Sequence, residues 1–169
     1  MARMLRAFRE ALPPAWPVEE IDCYARPAHP CTGCGGCEKR EGCVFADLDA
    51  EFAALEQADV LVFATPVHNL SFSAPLKIRI DRTQRYWAAR FVHGKRPPVA
   101  RPKQAVLLTA AGAPGRSGHE MVEKQLLPPL TILNSRLVSS VAYSGADAGE
   151  PLGPVLDEVR QAALMLTTL

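Results

Sequence analysis

The sequence contains no long hydrophobic run. No unbroken apolar stretch is longer than Val60-Leu61-Val62-Phe63-Ala64, which falls far short of the ~20 residues that a helical membrane span requires. It has no surplus of either charge: 19 Lys and Arg against 18 Asp and Glu leave +1 at pH 7, which offers no electrostatic handle on nucleic acid or a membrane surface. No internal repeat, low-complexity segment, Ser/His/Asp triad or paired-carboxylate site is evident, nor is a glycine fingerprint for a nicotinamide nucleotide. The N-terminal stretch is charged and amphipathic, unlike a signal peptide, so a cytoplasmic protein is expected. In contrast, hydrophobic residues make up 48% of 169 residues, enough for one globular domain over 1–169 with a sizeable core. Five cysteines in a reducing compartment point to metal binding or redox chemistry before disulfides.

Hydrophobic periodicity outlines alternating elements. Residues 2–12 read as a helix with Met4, Leu5, Phe8 and Leu12 on one face, stopped by Pro13 and Pro14. Residues 18–23 read as a short strand and 24–46 as a cysteine-rich loop. Asp47 is placed to cap a helix ending near Gln57. Residues 60–64 have the all-apolar character of a strand buried on both faces. Ser73 is placed to cap a helix running to about Tyr86, and residues 91–103 form a basic, proline-rich loop. Residues 105–110 repeat the buried-strand pattern. Ser117-Gly118-His119-Glu120 matches a capping box for a helix that Pro128 and Pro129 should break. A last strand covers 137–143 and a last helix 152–168. Strands alternating with helices predict an open, mostly parallel α/β sheet, whose ligands sit beyond the carboxyl ends of its strands. The loops after Ala64 and after Ala110 are therefore the places to look for a site.

The most informative stretch is Cys31-Thr-Gly-Cys34-Gly-Gly-Cys37, followed after five residues by Cys43. Four soft thiolates so closely spaced suit one compact iron–sulfur core, and the interleaved glycines let the backbone approach it. Three cysteines at two-residue intervals fit a cubane better than structural zinc, which takes two separated pairs. Zinc and an unmetallated cysteine loop stay open as alternatives. Cys23 lies outside the spacing and reads as a small apolar residue on a strand.

Taken with Val44, Asp47, Ala58-Asp59, Thr65-Pro66-Val67, Ser71-Phe72-Ser73-Ala74, Leu76-Lys77 and Asp81-Arg82, this motif resembles the iron–sulfur flavoproteins. Those belong to the flavodoxin-like, NAD(P)H-dependent flavin reductase superfamily. The resemblance implies a flavodoxin-like three-layer sandwich, bound flavin mononucleotide (FMN), and a [4Fe–4S] cluster on Cys31, Cys34, Cys37 and Cys43. It implies flavin contacts from Thr65, Pro66, Val67, His68, Asn69 and Ser71. A second loop would add Ala111, Gly112, Gly115, Ser117 and Gly118. It also implies NAD(P)H or another small redox donor, a redox partner such as ferredoxin, and a homodimer or homotetramer. The expected activity is FMN-dependent electron exchange. The rivals are a flavin-only quinone or FMN reductase and a non-catalytic zinc-binding domain.

One departure stands out. The family normally opens with a buried strand and a Ser/Arg/Gly/Thr loop for the flavin phosphate, whereas Ala2-Arg3-Met4-Leu5-Arg6-Ala7-Phe8 resembles the helix that follows them. The first strand is therefore expected to be missing, leaving strand edges and a strip of core exposed and weakening flavin binding. An upstream start codon, direct pairing of the second and third strands, and a degenerate copy each account for this.

Overall fold

The computed structural model describes residues 1–166. Three parallel strands, β1 (Val60–Pro66), β2 (Lys103–Ala110) and β3 (Ser135–Tyr143), form a sheet in the order β1-β2-β3. β1 and β2 carry the apolar runs, Val60 to Ala64 and Ala105 to Leu108, of strands covered on both faces, whereas β3, at the sheet edge, is interrupted by Ser139 and Ser140 and is mostly half-buried. Successive side chains of β2 go to opposite faces. Val106 and Leu108 join Met4 and Phe8 of α1 (Ala2–Ala11) and Val159 and Ala163 of α7 (Gly153–Leu164) on one side. Ala105 and Leu107 meet Ile80 of α4 (Ala74–Arg82) and Val122, Leu126 and Leu130 of α6 (Ser117–Ile132) on the other. The expected layered α/β architecture with a parallel sheet is borne out. A third cluster joins Leu48, Phe52 of α3 (Asp49–Gln57), Leu61 and Tyr86 of α5 (Gln84–Phe91). The short α2 (Gly36–Lys39) lies in the cysteine segment.

Several sequence expectations are corrected. Residues 18–23 form no strand, and no second strand pairs directly with β1 on its free side among the described residues. The Asp22 carboxylate accepts the Tyr24 and Ala25 N–H groups at 2.9 and 3.3 Å, turning the chain where a strand would need those donors. Cys23 is accordingly half-buried on a turn. Pro128 and Pro129 do not break α6, which runs through to Ile132. They sit in its last turns, where the Leu133 N–H still reaches Pro129 O and buried Leu126 and Leu130 pin the helix on either side. Ser117 is the first residue of that helix and makes no capping bond, so the capping box is absent. Asp47 precedes α3 without capping it. The helix opened at Ser73 ends at Arg82 and restarts at Gln84, with Thr83 Oγ1 donating to Ile80 O at the joint. Of the last predicted helix, residues 167 and 168 lie outside the described residues.

Leu108 is fully buried at the centre of the sheet. Leu108→Ala is expected to cost about 3 kcal/mol, the range of cavity-forming core truncations, measured as a lower midpoint in urea unfolding at unchanged slope.

Candidate functional site

Two groups of candidate residues lie at opposite ends of α4. At its start, beyond the carboxyl ends of β1 and β2, the chain makes a tight hairpin. His68 and Ser71 exchange backbone bonds of 2.9 Å around Asn69 (φ +49°) and Leu70 (φ +61°), both left-handed as such a two-residue turn demands. A leucine there costs about 1 kcal/mol. Gln125 of α6 holds it in place, its amide donating to Leu70 O at 3.0 Å and accepting from Ser71 Oγ at 2.8 Å. Thr65, fully buried, accepts the Ser73 N–H at 3.0 Å and so anchors α4 to the end of β1. Pro66 has no N–H, and the Val67 N–H is spent on Ala110 O. The hairpin's remaining outward amides are therefore those of Asn69 and Leu70.

The neighbouring loop, 111–118, abuts this hairpin: a Cβ on Gly118 would lie 3.0 Å from Val67 Cγ1. Its carbonyls face away from the hairpin. Those of Ala111, Gly112 and Ala113 accept the N–H groups of Ala146, Asp147 and Gly145, and the Asp147 carboxylate occupies the space a Gly112 side chain would need. Gly115 takes φ +96°. The start of α6 carries no side-chain cap, so the amides at Ser117 and Gly118 are free to meet an electron-rich ligand. The candidate residues on the two loops are thus brought to one place.

Sequence reasoning missed the role of His119. Its ring joins Thr109 Oγ1 at 2.7 Å and Ser144 Oγ at 2.9 Å, and Ser144 Oγ donates to Gly115 O at 2.8 Å. One tautomer satisfies all three bonds: Thr109 donates to Nδ1, and Nε2–H donates to Ser144. Burial, with Arg116 nearby, lowers the His119 pKa, which favours that neutral ring. A histidine nine residues after a strand end was the only signal, and it carries no periodicity.

At the other end of α4 lies the cysteine segment. Cys31, Cys34, Cys37 and Cys43 all line one cavity of about 400 Å³, floored by Asp81, Arg82 and Arg85. Gly33 and Gly35, at φ +66° and +67°, turn the backbone between the thiols. Gly36 leaves no room for a Cβ beside Val44. His93 donates to Cys37 O at 2.9 Å. Burial raises the Cys37 pKa, and the neighbouring Cys43 and Cys31 sulfurs add to that. The Gly36 N–H and the Thr32 hydroxyl lower that of Cys34. Among the described residues no three His, Cys, Asp or Glu side chains are close enough to hold a single metal ion.

Two arginines hold this segment. Arg82, 1% exposed, donates to His29 O, Phe45 O and Asp47 Oδ1 at 2.8 to 3.0 Å. Its Nε is buried without a partner. Arg79 makes a two-bond pair with Glu51 and donates to Arg26 O. The His29 N–H reaches Asp47 at 2.7 Å and its ring stacks on Phe45. Burial opposes ionisation of Asp47, but the bonds from the His29 N–H, Arg82 and the His29 ring outweigh it and hold its pKa at about 2. Lys77 and Asp81 form the expected pair on α4 at 2.6 Å.

A family model described as the flavodoxin-like fold matches residues 1–159. An iron-sulfur flavoprotein of Archaeoglobus fulgidus is 31% identical over 90 residues, covering 53% of this chain and 41% of that protein; the match spans less than half of the relative's length. The NAD(P)H:quinone oxidoreductase of Methanothermobacter marburgensis superposes with a TM-score of 0.75 at 22% identity, over 99% of this chain and 89% of that one. An FMN-dependent NADH-azoreductase of Bacillus anthracis, in complex with FMN, superposes with a TM-score of 0.63 at 14% identity, over the same shares. At these identities the two structures establish a common fold.

The Asp47 carboxylate has a lower pKa folded than its ordinary 3.8, so the unfolded chain binds the proton more readily. Its contribution is complete above that ordinary value and is lost as the pH falls through about 2. Asp47→Asn is expected to cost about 3 kcal/mol near neutral pH, since buried Arg82 loses its counter-charge, and to flatten the acid limb of stability measured by urea unfolding against pH.

Proposed function

The chain belongs to the flavodoxin-like fold family, and from that premise we propose that it is an FMN-dependent oxidoreductase carrying a [4Fe–4S] cluster on its cysteine loop. The observation that carries the cluster assignment is four cysteines on one cavity backed by a buried guanidinium with an unused N–H. A buried donor without a partner is costly, and a thiolate-bound sulfide core is an acceptor of the matching charge. Cys31, Cys34, Cys37 and Cys43 would be its ligands. The iron-sulfur flavoprotein relative supports this assignment.

The flavin assignment is supported by the two adjoining loops at the carboxyl ends of β1 and β2. Thr65, Pro66, Val67, His68, Asn69 and Ser71 would border the ring from one side, and Ala111, Gly112, Gly115, Ser117 and Gly118 from the other. Bound there, flavin supplies hydride and single-electron chemistry, and the cluster supplies one-electron relay. The protein's part is to hold and polarise. Outward amides of the hairpin and of the uncapped α6 start face a site where electron density would build up, and such donors stabilise it without reorganising. The Thr109–His119–Ser144–Gly115 chain fixes the second loop. NAD(P)H or another small donor, a ferredoxin-like acceptor and a homo-oligomeric assembly complete the proposal.

Anaerobically purified protein is expected to contain iron, acid-labile sulfide and FMN. Cys34→Ser should abolish the cluster's EPR signal while sparing the visible flavin bands. Protein that binds FMN without iron would instead be a flavin-only reductase.

A further inference from the structure

The charges of the basic loop read from the sequence at 91–103 are largely spent within the chain. Lys95 pairs with Glu41 and Arg101 with Asp59, while His93 is bonded to Cys37 O. The loop's last residue, Lys103, joins two further cations at the amino-terminal edge of the sheet, the end remote from both proposed flavin loops. Arg90 of α5, Lys103 at the start of β2 and Arg136 at the start of β3 line one pocket of about 540 Å³. No carboxylate lines it. Among the described residues none lies within ion-pair distance of any of the three. Glu56 and Asp59 are the nearest carboxylates acting on Lys103; the first accepts the Tyr86 hydroxyl and the second holds Arg101. The ammonium of Lys103, a residue almost wholly buried, donates to the carbonyls of Glu56 and Ala58.

Two further atoms mark the pocket as unfinished. Arg90 Nε and Gln104 Oε1 are buried with no hydrogen-bond partner, a combination that costs free energy unless a ligand supplies both an acceptor and a donor. The neutral lining groups repeat the second requirement. Thr131 and Ser135 spend their hydroxyl protons on Leu127 O and Leu133 O, so their oxygens can only accept. Cations thus stand beside a row of acceptors. We propose that this pocket binds a small phosphorylated molecule bearing hydroxyl donors, of the sugar-phosphate or nucleotide class. The phosphate meets the guanidinium groups of Arg90 and Arg136, whose planar donors suit its oxygens. The sugar hydroxyls donate to Gln104, Thr131 and Ser135. The pocket has the size common among small-molecule sites, and its position separates it from the redox chemistry.

The test is isothermal titration calorimetry on the full chain at constant ionic strength, with inorganic phosphate, ribose 5-phosphate and adenosine 5′-monophosphate as probes. Ribose 5-phosphate is expected to bind saturably and about tenfold more tightly than inorganic phosphate. A further gain with adenosine 5′-monophosphate identifies the nucleotide class, and no further gain identifies the sugar phosphates. Arg136 is exposed, so Arg136→Glu should leave the melting temperature near that of the parent while weakening every phosphate by about tenfold or more. Arg90→Gln should act in the same direction. The proposal is overturned if neither sugar phosphate nor nucleotide binds saturably up to about 10 mM. Equal affinity for ribose 5-phosphate and inorganic phosphate, or parent-like binding by both variants, would overturn it as well.

Discussion

The burial of one guanidinium group organises the half of the molecule that holds the cysteines. Arg82 lies at the end of α4, out of contact with solvent, and its two terminal nitrogens are answered by two backbone carbonyls and one carboxylate from the segments flanking the thiols. Placing a charge there costs several kcal/mol unless those partners are held in position. Conversely, they cannot leave without stranding the charge. The neck of the loop, from His29 to Asp47, is closed by this mutual dependence together with the apolar cluster that takes in Ala28 and Leu48 on either side of it. Arg79, one turn earlier, repeats the arrangement with Glu51 and Arg26 O. Two arginines three apart share one helix face, so α4 presents them together to the same segment.

The same helix separates the two proposed sites. Its first turn is tied to Thr65 at the end of β1, and its last turn floors the cysteine cavity. Nine residues give it a length of about 14 Å, which is therefore the scale on which the hairpin site and the thiols stand apart in one chain. Neither end is free to drift. The hairpin is clamped by Gln125 and the loop neck by Arg82, so α4 acts as a strut between two preorganised ends. Preorganisation of this kind is what electrostatic tuning of a bound redox group requires.

How much of this was legible in the sequence varied with the physics of each part. β1 and β2 were legible because doubly covered strands demand apolar runs, and residues 60–64 and 105–108 supply them; β3 has no such run, and its first residues, Ser135 and Arg136, were not read as strand. The four cysteines were legible as one group because their close spacing brings all four to the lining of a single cavity. Residues 18–23 misled, since alternation alone cannot reveal that Asp22 diverts the following amides into a turn. Pro128 and Pro129 misled for a tertiary reason: Leu126 and Leu130 pack firmly enough to carry α6 past them. Arg82 was visible as part of a pattern, but nothing in the sequence tells that its charge is buried. That depends on carbonyls contributed from residues 29 and 45, far away along the chain. The pocket of Arg90, Lys103 and Arg136 was invisible for the same reason, as its members come from three elements. His119 was read as part of a helix cap, whereas its ring is the centre of a buried polar chain.

Whether the arginine-closed neck presents its four thiols to one inorganic core, as proposed, is decided by diffraction from anaerobically grown crystals at the iron absorption edge. A single compact patch of anomalous density, bounded by Cys31, Cys34, Cys37 and Cys43 and facing Arg82, is expected. Iron bound elsewhere, or the four side chains turned outward around an iron-free loop, would contradict it.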